Sequence, residues 1–85
     1  MGPYALVLCE DAMAAFARAS RREQRNLALV LDALKAAPFR RVGRYERGAD
    51  GRVNHLLRAG AWLLTYWLDH ATREIRIVDL EHVRN

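Results

Sequence analysis

Residues 61–69 read AWLLTYWLD, from Ala61 to Asp69. Successive side chains on a strand point to opposite faces, so Trp62, Leu64, Tyr66 and Leu68 share one face and Leu63 and Trp67 take the other. A strand that is apolar and aromatic on both faces belongs in the middle of a sheet. Working outward, Ala59-Gly60 before it forms a tight turn, and His70-Ala71-Thr72 after it forms another. Arg52–Arg58 alternates Val53, His55 and Leu57 against Asn54, Leu56 and Arg58, which reads as a strand. Glu74–Leu80 (EIRIVDL) closes the sheet. Further upstream, Gly48–Gly51 is a turn, and Arg40–Glu46 is a candidate strand with Gly43 at a bulge or close approach. Strands joined in succession by hairpins predict a mostly antiparallel sheet.

The first half of the chain has a different period. Tyr4–Cys9 (YALVLC) is a short apolar run and reads as a buried strand. Glu10 and Asp11 follow, and either can cap a helix. Met13, Phe16 and Ala17 then recur at helical spacing to about Ala19. Ser20-x-x-Glu23 has the form of a capping box for a second helix. In it Leu27, Val30, Leu31 and Leu34 fall at i, i+3, i+4 and i+7, one apolar stripe. Pro38 ends that helix, because the residue before a proline is pushed out of helical geometry. Residues 11–37 therefore predict a helical hairpin, and the order is β-α-α-β-β-β-β. The expected fold class is α+β, in one domain spanning residues 1–85. The helices must cover one sheet face to bury their stripes, which leaves the other free to be polar.

Charge is concentrated in the second half. The chain carries 14 Lys+Arg and 10 Asp+Glu, a net charge of +4. Six of the arginines (Arg40, Arg41, Arg44, Arg47, Arg52, Arg58) and two acids (Glu46, Asp50) lie between positions 40 and 58, giving 6 − 2 = +4 in that window. The remainder balances. Lys35 is the one lysine. A GC-rich coding sequence favours arginine, and such a cluster can be a solvated face. It can equally be an anion-binding face, since the guanidinium fork suits phosphate and carboxylate.

Several function classes have no support in the residues. Cys9 is the one cysteine, so no intrachain disulfide can form, and it reads as a small packed hydrophobe. His55, His70 and His82 are not spaced as metal ligands, and no cofactor or metal is expected. The glycines make no phosphate loop, and no serine sits in a nucleophile elbow. The apolar runs are too short for a membrane span, and the N-terminus lacks the basic start of a signal peptide, so the expected location is the cytoplasm. Acid–base chemistry on an anionic backbone is what remains. RNA can be cut without metal where a base takes the 2′-OH proton, cations steady the phosphate and an acid protonates the leaving oxygen. Glu46, inside the arginine cluster, suits the base. His82, at the end of the last strand, can donate or accept a proton near pH 7, as histidine side chains do, and suits the acid. Each also has a plainer reading, Glu46 as a salt-bridge partner and His82 as a surface residue.

Strand, helical hairpin, then twisted sheet resembles the RelE/ParE superfamily of bacterial toxins. Leu57-Arg58-Ala59-Gly60-Ala61-Trp62-Leu63-Leu64-Thr65-Tyr66-Trp67-Leu68-Asp69 resembles that family's turn and central strand. Pro38-Phe39-Arg40-Arg41-Val42-Gly43-Arg44-Tyr45-Glu46 is similar to the Pro-Phe…Gly-Lys-Pro-Glu segment of its YoeB branch. Glu81-His82-Val83 falls where that branch ends in His-Tyr.

The resemblance implies the toxin of a type II toxin–antitoxin pair, a ribosome-dependent mRNA endonuclease with Glu46 and His82 in catalytic positions. Its implied partners are an acidic antitoxin, the ribosome and mRNA, with a homodimer or heterocomplex as the assembly. Two departures bear on activity. Leu63 stands where the family has the arginine that contacts the scissile phosphate, and Val83 where it has tyrosine. Loss of a transition-state cation costs orders of magnitude in rate; Arg58 or Arg76 on a neighbouring strand is a candidate replacement. The ParE branch, similar in fold, poisons DNA gyrase and lacks the nuclease residues. The alternatives are thus a gyrase inhibitor of that type, or an interaction domain of toxin fold without nuclease activity.

Overall fold

The apolar 61–69 stretch becomes the middle strand of a five-stranded sheet in the computed structural model, which describes residues 3–40 and 44–83. In chain order the elements are β1 (Ala5–Leu8), α1 (Glu10–Arg18), α2 (Arg21–Ala36), β2 (Arg44–Arg47), β3 (Val53–Ala59), β4 (Trp62–Asp69) and β5 (Glu74–His82). The order across the sheet is β1-β5-β4-β3-β2. β2, β3, β4 and β5 pair antiparallel in succession, and β1 joins β5 in parallel. A parallel partner needs a crossover, and the two helices supply it between β1 and the hairpins. The β-α-α-β-β-β-β order and the mostly antiparallel sheet match the sequence expectation.

Both helices lie against one sheet face. Ala12 of α1 and Leu27, Leu31 and Leu34 of α2 are buried with Leu64, Tyr66, Ile75, Ile77 and Leu80 of the sheet. Val30, Phe16, Trp62 and Leu68, also expected in this core, are partly buried against it. Strand alternation explains the set: Leu64 stands opposite Leu57 on β3 and Leu80 on β5, so one row of side chains crosses three strands. A bulge between Thr65 and Tyr66 in the β4–β5 register leaves Val78 as the extra residue, which keeps Ile77 and Leu80 on the same face although they are three apart. Apolar side chains of this size contribute about 1.5–3 kcal/mol each when fully buried.

Local chemistry fixes the helix starts. Ser20 Oγ accepts from the Glu23 backbone N–H at 3.1 Å, and Glu23 Oε1 accepts from the Ser20 backbone N–H at 2.9 Å, the reciprocal capping box. The first helix differs from expectation. Cys9 is its N-cap, with no side-chain capping bond, and Glu10 and Asp11 fall inside the first turn. There their charges face the positive end of the helix dipole instead of capping it. α2 stops at Ala36, ahead of Pro38.

Of the strand expected over Arg40–Glu46, the described part is Arg44–Arg47; Arg40 is not in a strand, and residues 41–43 lie outside the described residues. Pro38 and Phe39 form a turn, and Arg40 follows in an extended loop. Arg41 and the bulge expected at Gly43 lie outside the described residues. Phe39 is held by its own contacts: it stacks on His70 at 6.0 Å and meets Tyr4 edge-on at 5.2 Å, while Tyr4 Oη lies 2.7 Å from His70 Nδ1. That cluster ties the α2–β2 loop to the β4–β5 turn. The β3–β4 hairpin closes at Gly60, whose φ of +60° explains why glycine stands there.

Candidate nucleic-acid interface

Parity of the strand register sorts the polar residues between the two faces. Leu57 and His55 point to the helix side, so Asn54, Leu56 and Arg58 point to the open side. Arg44 pairs with Leu56 and Glu46 with Asn54, which puts Arg44 and Glu46 on the open face as well. Leu63 stands directly opposite Arg58 in the β3–β4 register. Directly opposed side chains have Cβ atoms about 5 Å apart, so the Arg58 guanidinium reaches the ground beside Leu63. Its Nε donates to Gly60 O at 2.7 Å, which leaves the terminal nitrogens to other partners.

Trp67 extends this face towards the other end of β4. The Arg52 guanidinium lies 4.1 Å above the Trp67 ring and that of Arg76 lies 5.7 Å from it. Arg76 is tied down by Glu74 at 2.7 Å and Asp69 at 3.3 Å. Burial raises the Asp69 carboxyl, but hydrogen bonds from Thr72 and the Arg76 charge outweigh it, and the group ends below its ordinary range. An arginine held by two carboxylates is poorly placed to meet a phosphate, so Arg58 is the better candidate for the missing cation.

The six arginines expected to form one anion face therefore divide. Arg44, Arg58 and Arg52 serve the open face. Arg47 faces the helix side, paired with Val53, and donates to Gly51 O at 3.1 Å. Arg40 lines a groove of about 210 Å³ on the helix side with Val30, Leu34, Ala37 and Leu57. Arg41 lies outside the described residues. Nothing in the residue spacing could separate these sets, because the split depends on where β2 begins.

Glu46 and His82 are not brought together. Glu46 sits on β2, opposite Asn54, on the open face. His82 is opposite Trp62 on β5, and shares the helix-side face with Leu80 and Leu64. The two strands are three apart, roughly 14 Å, and the two positions lie about 17 Å apart along the strand direction. His82 instead meets Glu23: Nε2 and Oε2 are 3.6 Å apart, and the Trp62 ring stands edge-on at 5.1 Å. Backbone and side-chain hydrogen bonds from Ser20 lower the Glu23 pKa, with a smaller pull from His82. Sequence reading missed Glu23 as a neighbour of His82. The capping box signal was visible, but its second oxygen had no assigned partner.

A third cluster lies under β2 and β3 on the helix side. His55 stacks on Tyr66 at 5.0 Å and meets Tyr45 at 4.9 Å. Burial lowers the His55 pKa and raises that of Tyr66. His55 Nδ1 and Tyr66 Oη are buried without a hydrogen-bond partner among the described residues.

No family model and no curated protein sequence matches the chain. Solved structures do. A chain of the RelBE2 toxin–antitoxin complex of Mycobacterium tuberculosis superposes with a TM-score of 0.78 at 21% identity, covering 95% of this chain and 99% of that one. A chain of the archaeal RelE–RelB complex of Pyrococcus horikoshii superposes with a TM-score of 0.76 at 17% identity, covering 95% and 96%. Near-complete coverage of both partners at these TM-scores gives this chain a fold of the RelE type.

Proposed function

We propose that this chain is the toxin of a type II toxin–antitoxin pair, a single domain over residues 1–85 that acts on mRNA at the ribosome. The observation that carries this reading is the open sheet face of a RelE-type fold, bearing Arg44, Arg58 and Glu46 together. Two solved chains of the same fold come from complexes named for a toxin and its antitoxin or for RelE with RelB. The local resemblance to the YoeB branch favours metal-independent cleavage. In that reading RNA lies across β2, β3 and β4, Glu46 takes the 2′-OH proton as the 2′-oxygen attacks phosphorus, the P–O5′ bond breaks with water protonating the leaving oxygen, and Arg58 replaces the cation absent at Leu63. His82 keeps a catalytic role only if the substrate spans both faces or β5 rearranges on binding. The partner is an acidic antitoxin that neutralises the arginine surface, and the compartment is the cytoplasm. Among the described residues no helix is long and apolar enough to cross a membrane.

A specific observation favours a second reading. Glu46 and His82 stand on opposite faces, and Leu63 occupies the centre of the open one. A chain that binds its target without cutting it, as an inhibitor of DNA gyrase or of another machine, needs neither pair nor cation. Mapping mRNA 5′ ends after induction of the chain separates the two. New ends that appear only while translation continues support cleavage. Growth arrest with intact mRNA supports the inhibitor.

A further inference from the structure

A cleft lies on the helix side, away from the open face. It holds about 510 Å³ between the α1–α2 junction and the ends of β4 and β5. Arg18, Glu23, Trp62 and His82 supply its polar and aromatic lining, over apolar ground from Ala15 and Leu80. This size falls within the roughly 300–1,000 Å³ of small-molecule sites, enough for one nucleotide.

Charge around the cleft favours an anion. Arg18 lines the cleft itself, and the segment it belongs to, residues 18–25, carries Arg18, Arg21, Arg22 and Arg25 against Glu23, 4 − 1 = +3, with Arg21 and Arg25 lining a separate groove. Arg18 ends α1, and Arg21, Arg22 and Arg25 lie in the first turns of α2, near the positive end of its dipole. Glu23, the one acid, is already committed. One oxygen accepts from the Ser20 N–H and the other faces His82. Among the described residues no carboxylate lies in salt-bridge range of Arg18. The cleft thus presents an uncommitted guanidinium, an indole and a carboxylate–imidazole pair held by a capping box.

We propose that this cleft is a second RNA-contact site that takes one unpaired nucleotide, its base against Trp62 and its phosphate on Arg18. The proposal extends the RNA-directed reading above to a surface that the open face does not include. An aromatic ring beside a planar cation is the recurring way to hold an unpaired base, since every base has a face to stack. An acidic protein segment would need the arginines but would gain little from the indole. Fixed by Ser20, the Glu23–His82 pair offers an acceptor and a donor to a base edge or ribose hydroxyl.

Trp62 reports on its own site once Trp67 is replaced. In a Trp67→Phe chain, titration with a short single-stranded oligoribonucleotide should quench Trp62 fluorescence saturably, and more weakly as salt rises. Adding Arg18→Ala should weaken binding about three- to tenfold and lower the salt slope by about 0.7, the share of one phosphate on a single strand. Arg44→Ala, on the other face, should leave the Trp62 titration unchanged. The Trp62 indole N–H resonance in the unaltered chain gives the same reading should Trp67→Phe not fold. An oligonucleotide that leaves Trp62 unaffected, or an Arg18→Ala titration equal to its parent, overturns the proposal. So does equal quenching by a poly-glutamate peptide, which would assign the cleft to an acidic protein. Binding is read without cleavage, so a chain that cuts no mRNA can still pass, and a nuclease can still fail.

Discussion

His55 is a titratable residue held in an aromatic setting that disfavours its charge. It is packed between Tyr45 and Tyr66 with Nδ1 unpartnered among the described residues, and burial disfavours its charged form. Its folded pKa therefore lies below its ordinary value of 6.5. The unfolded chain then binds the proton more readily, so this contribution to stability is complete above 6.5 and is lost as pH falls through the folded value. Urea melts should show stability declining below pH 6.5, and His55→Phe should flatten that part of the curve. An unchanged slope would remove His55 as its source. Glu46 is the residue on which the proposed cleavage turns. Glu46→Gln keeps shape and removes the base, so mRNA cleavage should fall about 10²–10⁴-fold. If Glu46 only pairs with arginines at the surface, the change costs at most about 1 kcal/mol of stability and leaves toxicity intact. Leu63→Arg places a guanidinium next to Arg58 and should raise cleavage in primer-extension assays. If neither substitution alters cleavage, the inhibitor reading stands in its place.

Secondary elements were legible wherever a period and a stop signal coincided. Ser20-x-x-Glu23, the Leu27–Leu34 stripe and Pro38 placed α2, and its capping box is present as expected. Ser20→Ala should cost about 1 kcal/mol in chemical denaturation. Leu31→Ala, at the centre of the stripe, should cost about 2–5 kcal/mol. A loss under 0.5 kcal/mol at Leu31 would contradict the packing of α2 on the sheet. β4 was placed in the middle by its two apolar faces. The candidate site was less legible, for a geometric reason. Faces are assigned by parity, and parity requires knowing where each strand starts and where it bulges. Arg40 lies before the strand, in the groove beside Leu57, and the pairing of Arg47 with Val53 turns Arg47 to the helix side. The bulge at Val78 decides which of Glu81 and His82 joins the open face, and it selects Glu81. No local signal in EIRIVDLEH marks a bulge.

At the scale of the whole molecule, the sheet separates its charges. On the open face the β2–β3 side carries Arg44, Arg52 and Arg58 with Glu46, 3 − 1 = +2, while β5 carries Glu74, Asp79 and Glu81 with Arg76, 1 − 3 = −2. A second basic corner gathers at Arg18–Arg25 on the helix side. A chain of this size buries a modest share of its surface, and partner binding adds stability by mass action. An acidic antitoxin segment across the open face of β2 and β3 would pair Arg44 and Arg58. Co-expression with an adjacent acidic reading frame should yield a complex that co-purifies and melts higher than the chain alone. The central claim is that this RelE-type fold is a toxin. Its most direct test is growth after induction of the chain alone, set against induction together with the acidic neighbour. The account predicts arrest in the first culture and growth in the second. Equal growth in both, with the folded chain accumulating, would contradict it.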